Sequence, residues 1–361
     1  MKERMEKIAK KENIISKSFA LTILYLIIRL KPEKEIRLYN SIKNNVPKEK
    51  QNDKKYMKVL IKDMIYCHYV SGFNYEEYFA FELENKTDEE RHQYVGTLER
   101  YDLLKDFTTK ESQKKFDDKY LCYKIFQPYY AREIEKITKN DFDTFCNFAN
   151  RQRVFMVKPI ALSLGQGISI IDLDAEERNT EEIFNSIVSN GDVVLEEMIY
   201  QSFSMAIFHP ASVNTIRFVT CFDGKETNRL YALVRMGVGN SFVDNAFTGG
   251  IIASVDVDTG VILTDGYRNK KNIDERYSEH PETKVKIKGN QIPKWEELLD
   301  LIEKLVRVVP EQKIVGWDLA LTDSGWIMVE GNSRPIFKSV QLCNKKGFRT
   351  EFEKIRLMAN K

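Results

Sequence analysis

The sequence lacks the features of a disulfide-stabilised, zinc-thiolate or membrane-spanning protein. Its 361 residues contain five cysteines, an odd number, and these are widely scattered with no Cys-x-x-Cys pair. Reduced thiols in a cytosolic protein fit this pattern better than a disulfide scaffold. The longest apolar run, FALTILYLII at 19–28, is well short of the ~20 residues that cross a bilayer and lacks a small-residue cleavage site. A cytoplasmic location is therefore expected.

Signatures of nucleophilic catalysis and of two common nucleotide-binding loops are also missing. The four histidines, at 68, 92, 209 and 280, are scattered, and no Ser/His/Asp arrangement is recognisable. Neither the Gly-x-x-x-x-Gly-Lys-[Ser/Thr] loop nor the Gly-x-Gly-x-x-Gly fingerprint occurs. Cys67 and His68 are adjacent, but they lie in the apolar helical stretch MIYCHYV, which favours core and edge positions over a catalytic role.

Positive charge is concentrated at the N-terminus. The net charge is only +2, but residues 1–63 contain 17 Lys and Arg against 8 Asp and Glu, which gives +9 there and −7 elsewhere. Two interpretations stay open: a surface that rests on an acidic membrane or another anionic polymer, or a helical cap with a solvated basic face, which is the commoner arrangement. Hydrophobic residues make up 42 %, which predicts a folded chain of two or three domains.

The order of secondary structure changes near residue 106. Before it, helices are predicted for IISKSFALTILYLIIRL, KKYMKVLIKDMIYCHYV and NKTDEERHQYVGTLERYDLL, with a loop at NNVPKEKQNDKK. After it, the predicted strands are VFMVKP, ISIIDL, DVVLEEMI, NTIRFVTCF, RLYALVRMGV and GIIASVDV, and helices are predicted over AEERNTEEIFNSIVSN and KWEELLDLIEKLVRVV. This order predicts an α+β body with substantial antiparallel sheet behind a helical N-terminal region.

The segment VGWDLALTDSGWIMVEGNSRP, at 315–335, predicts a β-hairpin with three oxygen-bearing side chains. TDSG has the composition of a tight turn, which places Asp318 across from residue 329 or 330. In the 318–330 register, Asp318, Glu330 and Asn332 share one face, and the other face is filled by Leu319, Leu321, Ile327 and Val329. Two carboxylates and an amide oxygen suit Mg²⁺ or Mn²⁺. Ordinary polar residues on the wet face of a sheet are the commoner cause of such a pattern taken alone.

Two earlier segments carry groups that suit a nucleotide. VKPIALSLGQGISII places Lys158 at a strand end before Gly165 and Gly167, so that a point charge and backbone N–H groups can approach an anion. Taken alone, the segment is better explained as a plain hairpin. DVVLEEMI ends in carboxylates followed by Met and Ile, which suits a purine edge, although solvated glutamates at a strand end are the simpler reading. Arginines on later strands, Arg217 and Arg235, would stabilise a transferring phosphoryl group or form structural ion pairs.

Taken in order, these motifs resemble the ATP-grasp superfamily. HPETKVKIKGNQIPKWEEL and SVNTIRFVT resemble its sugar-transfer-associated branch, which is found with polysaccharide genes. The resemblance covers roughly residues 110–345. It implies two α+β subdomains that grip ATP between antiparallel sheets, after a mainly helical region. The implied boundaries are 1–105 for the helical region, 106–198 for the subdomain with the lysines and glycine loop, and 199–361 for the subdomain with the metal site.

The resemblance also implies residue roles. Lys119 of DDKYL and Lys158 correspond to phosphate-binding lysines, with Gly165 and Gly167 in the loop over the phosphates. The adenine edge falls to Glu196, the Glu197 carbonyl and the Ile199 N–H, and the ribose, by a looser match, to Gln201. Arg235 corresponds to an arginine that steadies an acyl phosphate, with Arg217 and Asn245 as further catalytic candidates. Asp318, Glu330 and Asn332 correspond to the ligands of Mg²⁺, with Mn²⁺ as the alternative ion.

The activity implied is that of a carboxylate–amine ligase that forms an amide through an acyl phosphate. Its expected partners are ATP, a carboxylate acceptor such as a uronic acid of a glycan precursor, and an amine or amino acid; no nucleic acid is expected. An ATP-grasp kinase acting on a sugar hydroxyl and a non-catalytic nucleotide-binding accessory of glycan assembly are the alternatives. Many ATP-grasp enzymes begin with an α/β domain, so the helical N-terminus leaves acceptor recognition open. Substituting Asp318→Asn is expected to abolish ATP turnover without unfolding the chain.

Overall fold

The computed structural model describes residues 14–160, 167–239, 249–270 and 273–359. Two compact units divide them. The first, the helical unit, contains the described residues up to Asp106, Ile273 and the described part of Ile336–Lys361. The second, the sheet unit, contains the remainder from Phe107 to Pro335. The C-terminal helices thus cluster with the N-terminal ones, a division different from the boundaries predicted above, which stay a prediction.

The helical unit is built from short amphipathic helices and one helix that is apolar on all sides. Its helices are α1 (Ile14–Arg29), α2 (Pro32–Asn45), α3 (Lys48–Gln51), α4 (Lys54–Tyr69), α5 (Tyr75–Ala80), α6 (Asp88–His92), α7 (Thr97–Leu104), α14 (Lys338–Asn344) and α15 (Arg349–Ala359). Buried Gln341 joins the two ends of this unit, because its side chain accepts from the Val95 N–H at 2.8 Å and donates to the Val95 carbonyl at 3.0 Å. No helix in the described ranges is long and apolar enough to cross a membrane.

Two predictions for this unit need correction. Part of the predicted loop NNVPKEKQNDKK is helical, because α2 runs to Asn45 and Lys48–Gln51 forms a further turn. The predicted helix over NKTDEERHQYVGTLERYDLL is two helices, since the chain leaves the helical path between His92 and Thr97. A capping box at Thr87, which accepts from the Glu90 N–H, starts the first of them.

The sheet unit begins with α8 (Lys110–Asp117) and α9 (Lys119–Tyr130), followed by a four-stranded antiparallel sheet of order β1–β4–β2–β3. Its strands are β1 (Ile134–Ile137), β2 (Val154–Pro159), β3 (Ser169–Asp172) and β4 (Val193–Glu197). Helices α10 (Phe142–Gln152) and α11 (Thr180–Val188) share a core with one face, which presents Phe155, Val157 and Leu195. The opposite face carries Lys158 and Glu196, because side chains alternate along each strand.

A seven-stranded sheet forms the rest of the unit, in the order β11–β10–β5–β6–β7–β8–β9. Its strands are β5 (Thr215–Phe222), β6 (Thr227–Met236), β7 (Ile251–Val255), β8 (Gly266–Lys270), β9 (Ile273–Tyr277), β10 (Ile314–Thr322) and β11 (Gly325–Asn332), with helices α12 (Phe203–Ala206) and α13 (Trp295–Leu305). The core side packs against α9 and α13, where Trp317 meets Phe126 at 5.7 Å and Phe218 meets Trp295 at 5.8 Å between ring centroids. The α+β class with antiparallel sheets is confirmed.

The 315–335 hairpin has one of the two predicted registers, Asp318 opposite Glu330, at the end away from its turn, and a different register near the turn. Asp318 pairs with Glu330 and Gly316 with Asn332. A bulge then shifts the register, so that Leu319 pairs with Met328 and Leu321 with Trp326. The prediction that Ile327 and Val329 accompany Leu319 and Leu321 was therefore wrong, because one extra residue in β11 reverses the alternation of faces.

Candidate functional site

The face of the four-stranded sheet that lies opposite helices α10 and α11 carries a buried ion cluster around Glu196. Lys158 on β2 donates to Glu196 Oε2 at 2.8 Å, and Arg132, which precedes β1, donates to the same oxygen at 3.0 Å. Glu196 is 7 % exposed. Burial alone would raise the pKa of Glu196, but the two cations outweigh burial and lower this pKa from 4.5 to about 2. Glu196 is therefore an anion at neutral pH, and it holds Lys158, the predicted phosphate lysine, in place.

Arg132 connects this cluster to the bulge in β11. Its guanidinium donates to the Met328 carbonyl at 2.7 Å and to the Val329 carbonyl at 3.2 Å. Val329 is the extra residue of the bulge and directly precedes Glu330. Sequence reasoning missed Arg132, and no signal in the sequence marks it, since its position depends on a left-handed turn at Ala131 (φ +46°).

A second buried ion cluster lies on the large sheet around Asp318. Arg217 on β5 donates to Asp318 through Nε and, at 2.7 Å, through Nη2, and Arg235 on β6 donates to Asp318 Oδ2 at 3.1 Å. Burial would raise the pKa of Asp318, but the two guanidiniums lower it. The pKa of Arg217 lies above its usual value, because the Asp318 charge outweighs burial. Three predicted residues thus form one charged group.

The predicted metal ligands lie on the same face as this cluster. Glu330 is exposed and directly opposite Asp318 across the ladder, and Asn332 lies one pair further along, opposite Gly316. In the described ranges, no three His, Cys, Asp or Glu side chains are grouped closely enough to hold a metal ion. The buried Nδ2 of Asn332 has no hydrogen-bond partner among the described residues. The orphaned amide and the exposed Glu330 carboxylate fit a hard divalent cation, because an amide flip presents the oxygen. Asp318 would have to release an arginine to join them, because both of its oxygens accept from Arg217 or Arg235.

The other predicted nucleotide residues are less closely gathered. The Glu197 side chain accepts from the Glu133 N–H at 2.8 Å. Ile199 follows β4 and is half-buried. Lys119 is half-buried at the first position of α9, which Asp118 caps by accepting from the Leu121 N–H, so the predicted helix start is confirmed. Gly167 has φ +71°, which favours glycine. Gly165 and Asn245 lie outside the described residues.

The side chain of Gln201 is hydrogen-bonded to neighbouring segments of the protein itself. Its Nε2 donates to the His209 and Ser212 carbonyls at 2.9 and 2.6 Å, and its Oε1 accepts from the N–H and the side chain of Asn214, each at 2.9 Å. A ribose contact would have to replace one of these bonds. The same network supports the segment after Arg235, because Gly237 approaches it so closely that a Cβ there would lie 2.0 Å from Ser212 Oγ.

Two antiparallel sheets, each with a cation–carboxylate cluster, agree with the ATP-grasp fold predicted from the sequence. The chain belongs to the sugar-transfer associated ATP-grasp family, whose family model matches residues 99–356, more than half of the chain. This match confirms the recognition of the family. No curated protein matches the sequence.

Several solved structures are similar to the chain at low sequence identity. The ATP-grasp ligase PsnB, complexed with a minimal precursor, Mg and ADP, is 11 % identical with a TM-score of 0.42, and the match covers 71 % of this chain and 62 % of PsnB. D-alanine–D-alanine ligase from Bacillus anthracis is 11 % identical with a TM-score of 0.43 and 70 % coverage of both chains. The corresponding ligase from Helicobacter pylori is 14 % identical with a TM-score of 0.42, and covers 68 % of this chain and 61 % of its own.

Proposed function

We propose that this chain is an ATP-dependent carboxylate–amine ligase that joins an amino acid or another amine to a uronic acid of a surface-polysaccharide precursor. The observation that carries the proposal is the register that sets Asp318 beside Glu330 and under two arginines. Carboxylate ligands for a metal ion lie there next to arginine side chains that can bind an anionic substrate. Phosphoryl transfer needs mainly positioning and charge neutralisation, which such a surface supplies.

Each cluster has a proposed task. Lys158 and Lys119 bind the phosphates, with the loop of Gly165 and Gly167 over them. Because the Glu196 carboxylate is taken by Lys158 and Arg132, its proposed task is to hold the lysine, and the adenine edge falls to the backbone of Glu197 and Ile199.

The large sheet carries the proposed reacting centre. Asp318, Glu330 and Asn332 would hold Mg²⁺, or Mn²⁺, which neutralises phosphate charge when bound. Arg235 and Arg217 stabilise the negative charge of the acyl phosphate that forms when the substrate carboxylate takes the γ-phosphoryl group and ADP leaves. The amine then attacks the acyl carbon, phosphate leaves and an amide remains. Asn245 stays a candidate from the sequence.

A product balance tests the proposal. The protein is incubated with Mg²⁺, ATP, pooled amino acids and uronate-containing acceptors, and ADP and free phosphate are measured together. We expect both to rise in step, only when both substrates are present, with the amide identified by mass spectrometry. ADP without free phosphate would mean that the γ-phosphoryl group stays on a product, and the ligase proposal would give way to a kinase.

The hairpin offers a matched pair of variants for the same assay. Glu330→Gln removes an exposed predicted ligand, and we expect turnover to fall by about 100-fold or more while the fold is kept. Asp323→Asn removes an exposed carboxylate from the turn of the same hairpin, and we expect turnover to be unchanged. Equal activity of both variants would refute the metal assignment.

A further inference from the structure

Helix α1 exposes an apolar stripe. Phe19, Leu26 and Leu30 are 61, 55 and 80 % exposed, and their spacing places them along one side of the helix. The opposite side carries buried Leu24 and Ile28, and α1 packs against α2 and α4. A helix that is apolar on all sides normally has both sides covered. The exposed stripe is therefore a surface suited to binding a partner.

Further exposed apolar residues and an excess of exposed cations lie on the segments that follow this stripe in the chain. Ile36 on α2 is 57 % exposed and Val59 on α4 is 64 % exposed, and exposed Lys55 and Lys58 flank the latter. Between residues 29 and 60, nine Lys and Arg side chains are exposed against three acidic ones. We call the five exposed apolar residues and these nine cations the basic apolar surface.

We propose that the residues of the basic apolar surface face one side of the helical unit and bind an anionic lipid bilayer. Apolar side chains that enter the headgroup region and cations that meet anionic lipids together give interfacial binding, and each contribution alone is weaker. A second copy of the chain is a poor occupant, because two surfaces of the same positive sign repel each other. A polyanion would pair with the cations but gives the apolar stripe no partner. The proposal does not depend on the ligase activity.

Vesicle co-sedimentation of the full chain tests this proposal. We expect binding to phosphatidylcholine vesicles that contain about 30 % phosphatidylglycerol, little binding to phosphatidylcholine alone, and a steep decrease with salt. Leu26→Glu should weaken binding by about tenfold or more, since it removes an apolar contact and adds a repulsive charge. Leu357→Glu is the matched control, because Leu357 is 65 % exposed on α15, outside the basic apolar surface, and should bind like the unmodified chain.

Three results would overturn the proposal. The first is no binding to anionic vesicles at low salt. The second is equal binding of Leu26→Glu and the unmodified chain together with displacement by heparin, which would indicate an anionic polymer. The third is self-association of the unmodified chain that Leu26→Glu abolishes, which would make a second copy the partner. Both substituted residues are exposed, so unchanged circular dichroism is expected and separates lost binding from lost folding.

Discussion

Glu196→Gln isolates the energetic contribution of a buried charge, because glutamine keeps the shape of the side chain and removes only the charge. In the folded protein Lys158 and Arg132 lower the pKa of Glu196 from 4.5 to about 2, against the opposing effect of burial. A shift of that size corresponds to about 3 kcal/mol of folding free energy at pH 7. We expect the variant to lose a stability of this order, since both cations then face a neutral amide.

The pH dependence gives the sharper test. A lowered carboxyl pKa contributes stability that is complete above the unfolded value and is lost as the pH falls toward the folded value. From pH 7 to 3.5 the unmodified chain should therefore lose about 1.4 kcal/mol more than Glu196→Gln. Groups common to both proteins cancel in the difference.

Urea unfolding at pH 7, 4.5 and 3.5, followed by circular dichroism and by the fluorescence of the three tryptophans, measures these values. Glu177→Gln removes an exposed carboxylate near the same sheet and should change the free energy of unfolding by less than about 0.5 kcal/mol at pH 7. A stability difference for Glu196→Gln that is below about 1 kcal/mol at pH 7, or that does not shrink on acidification, would refute the reasoning.

Three further outcomes follow from the sheet unit. Asp318→Asn should abolish turnover. Contrary to the expectation from sequence, it should also lower the free energy of unfolding by about 3–5 kcal/mol, since two largely buried arginines lose their carboxylate; urea titration measures this. Gly237→Ala should lower the thermal midpoint and kcat together, because its Cβ would meet Ser212 Oγ at 2.0 Å, and an unchanged midpoint would contradict the packing. Burial lowers the pKa of His280, whose Nε2 lies 2.8 Å from the Gly237 carbonyl. The free energy of unfolding should therefore fall as the pH drops below ~6.5, because the unfolded chain then binds a proton more readily than the folded chain. His280→Gln should flatten that dependence in parallel urea titrations.

The sequence was sufficient where local pattern determines structure. Strands such as VFMVKP were placed to the residue, because β-branched and aromatic runs bounded by turn residues have few alternatives. The tight turn was also predictable from its composition, but it left Asp318 opposite residue 329 or 330, and only the bulge places Glu330 there. The order of the motifs was sufficient to recognise the family, because the order and spacing of several motifs are informative even when each motif matches loosely.

Tertiary structure decided what these residues do to one another. Arg217, Arg235 and Asp318 come from three strands that are distant in sequence, and only the strand order β10–β5–β6 makes them a single buried cluster. Arg132 reaches Glu196 and the Val329 carbonyl because a left-handed residue turns the chain ahead of β1. The bulge at Val329 reversed the faces of half a strand, which alternation alone cannot reveal. Charge pairing, burial and pKa depend on distances between segments far apart in the chain, and those distances are set only when the sheets assemble.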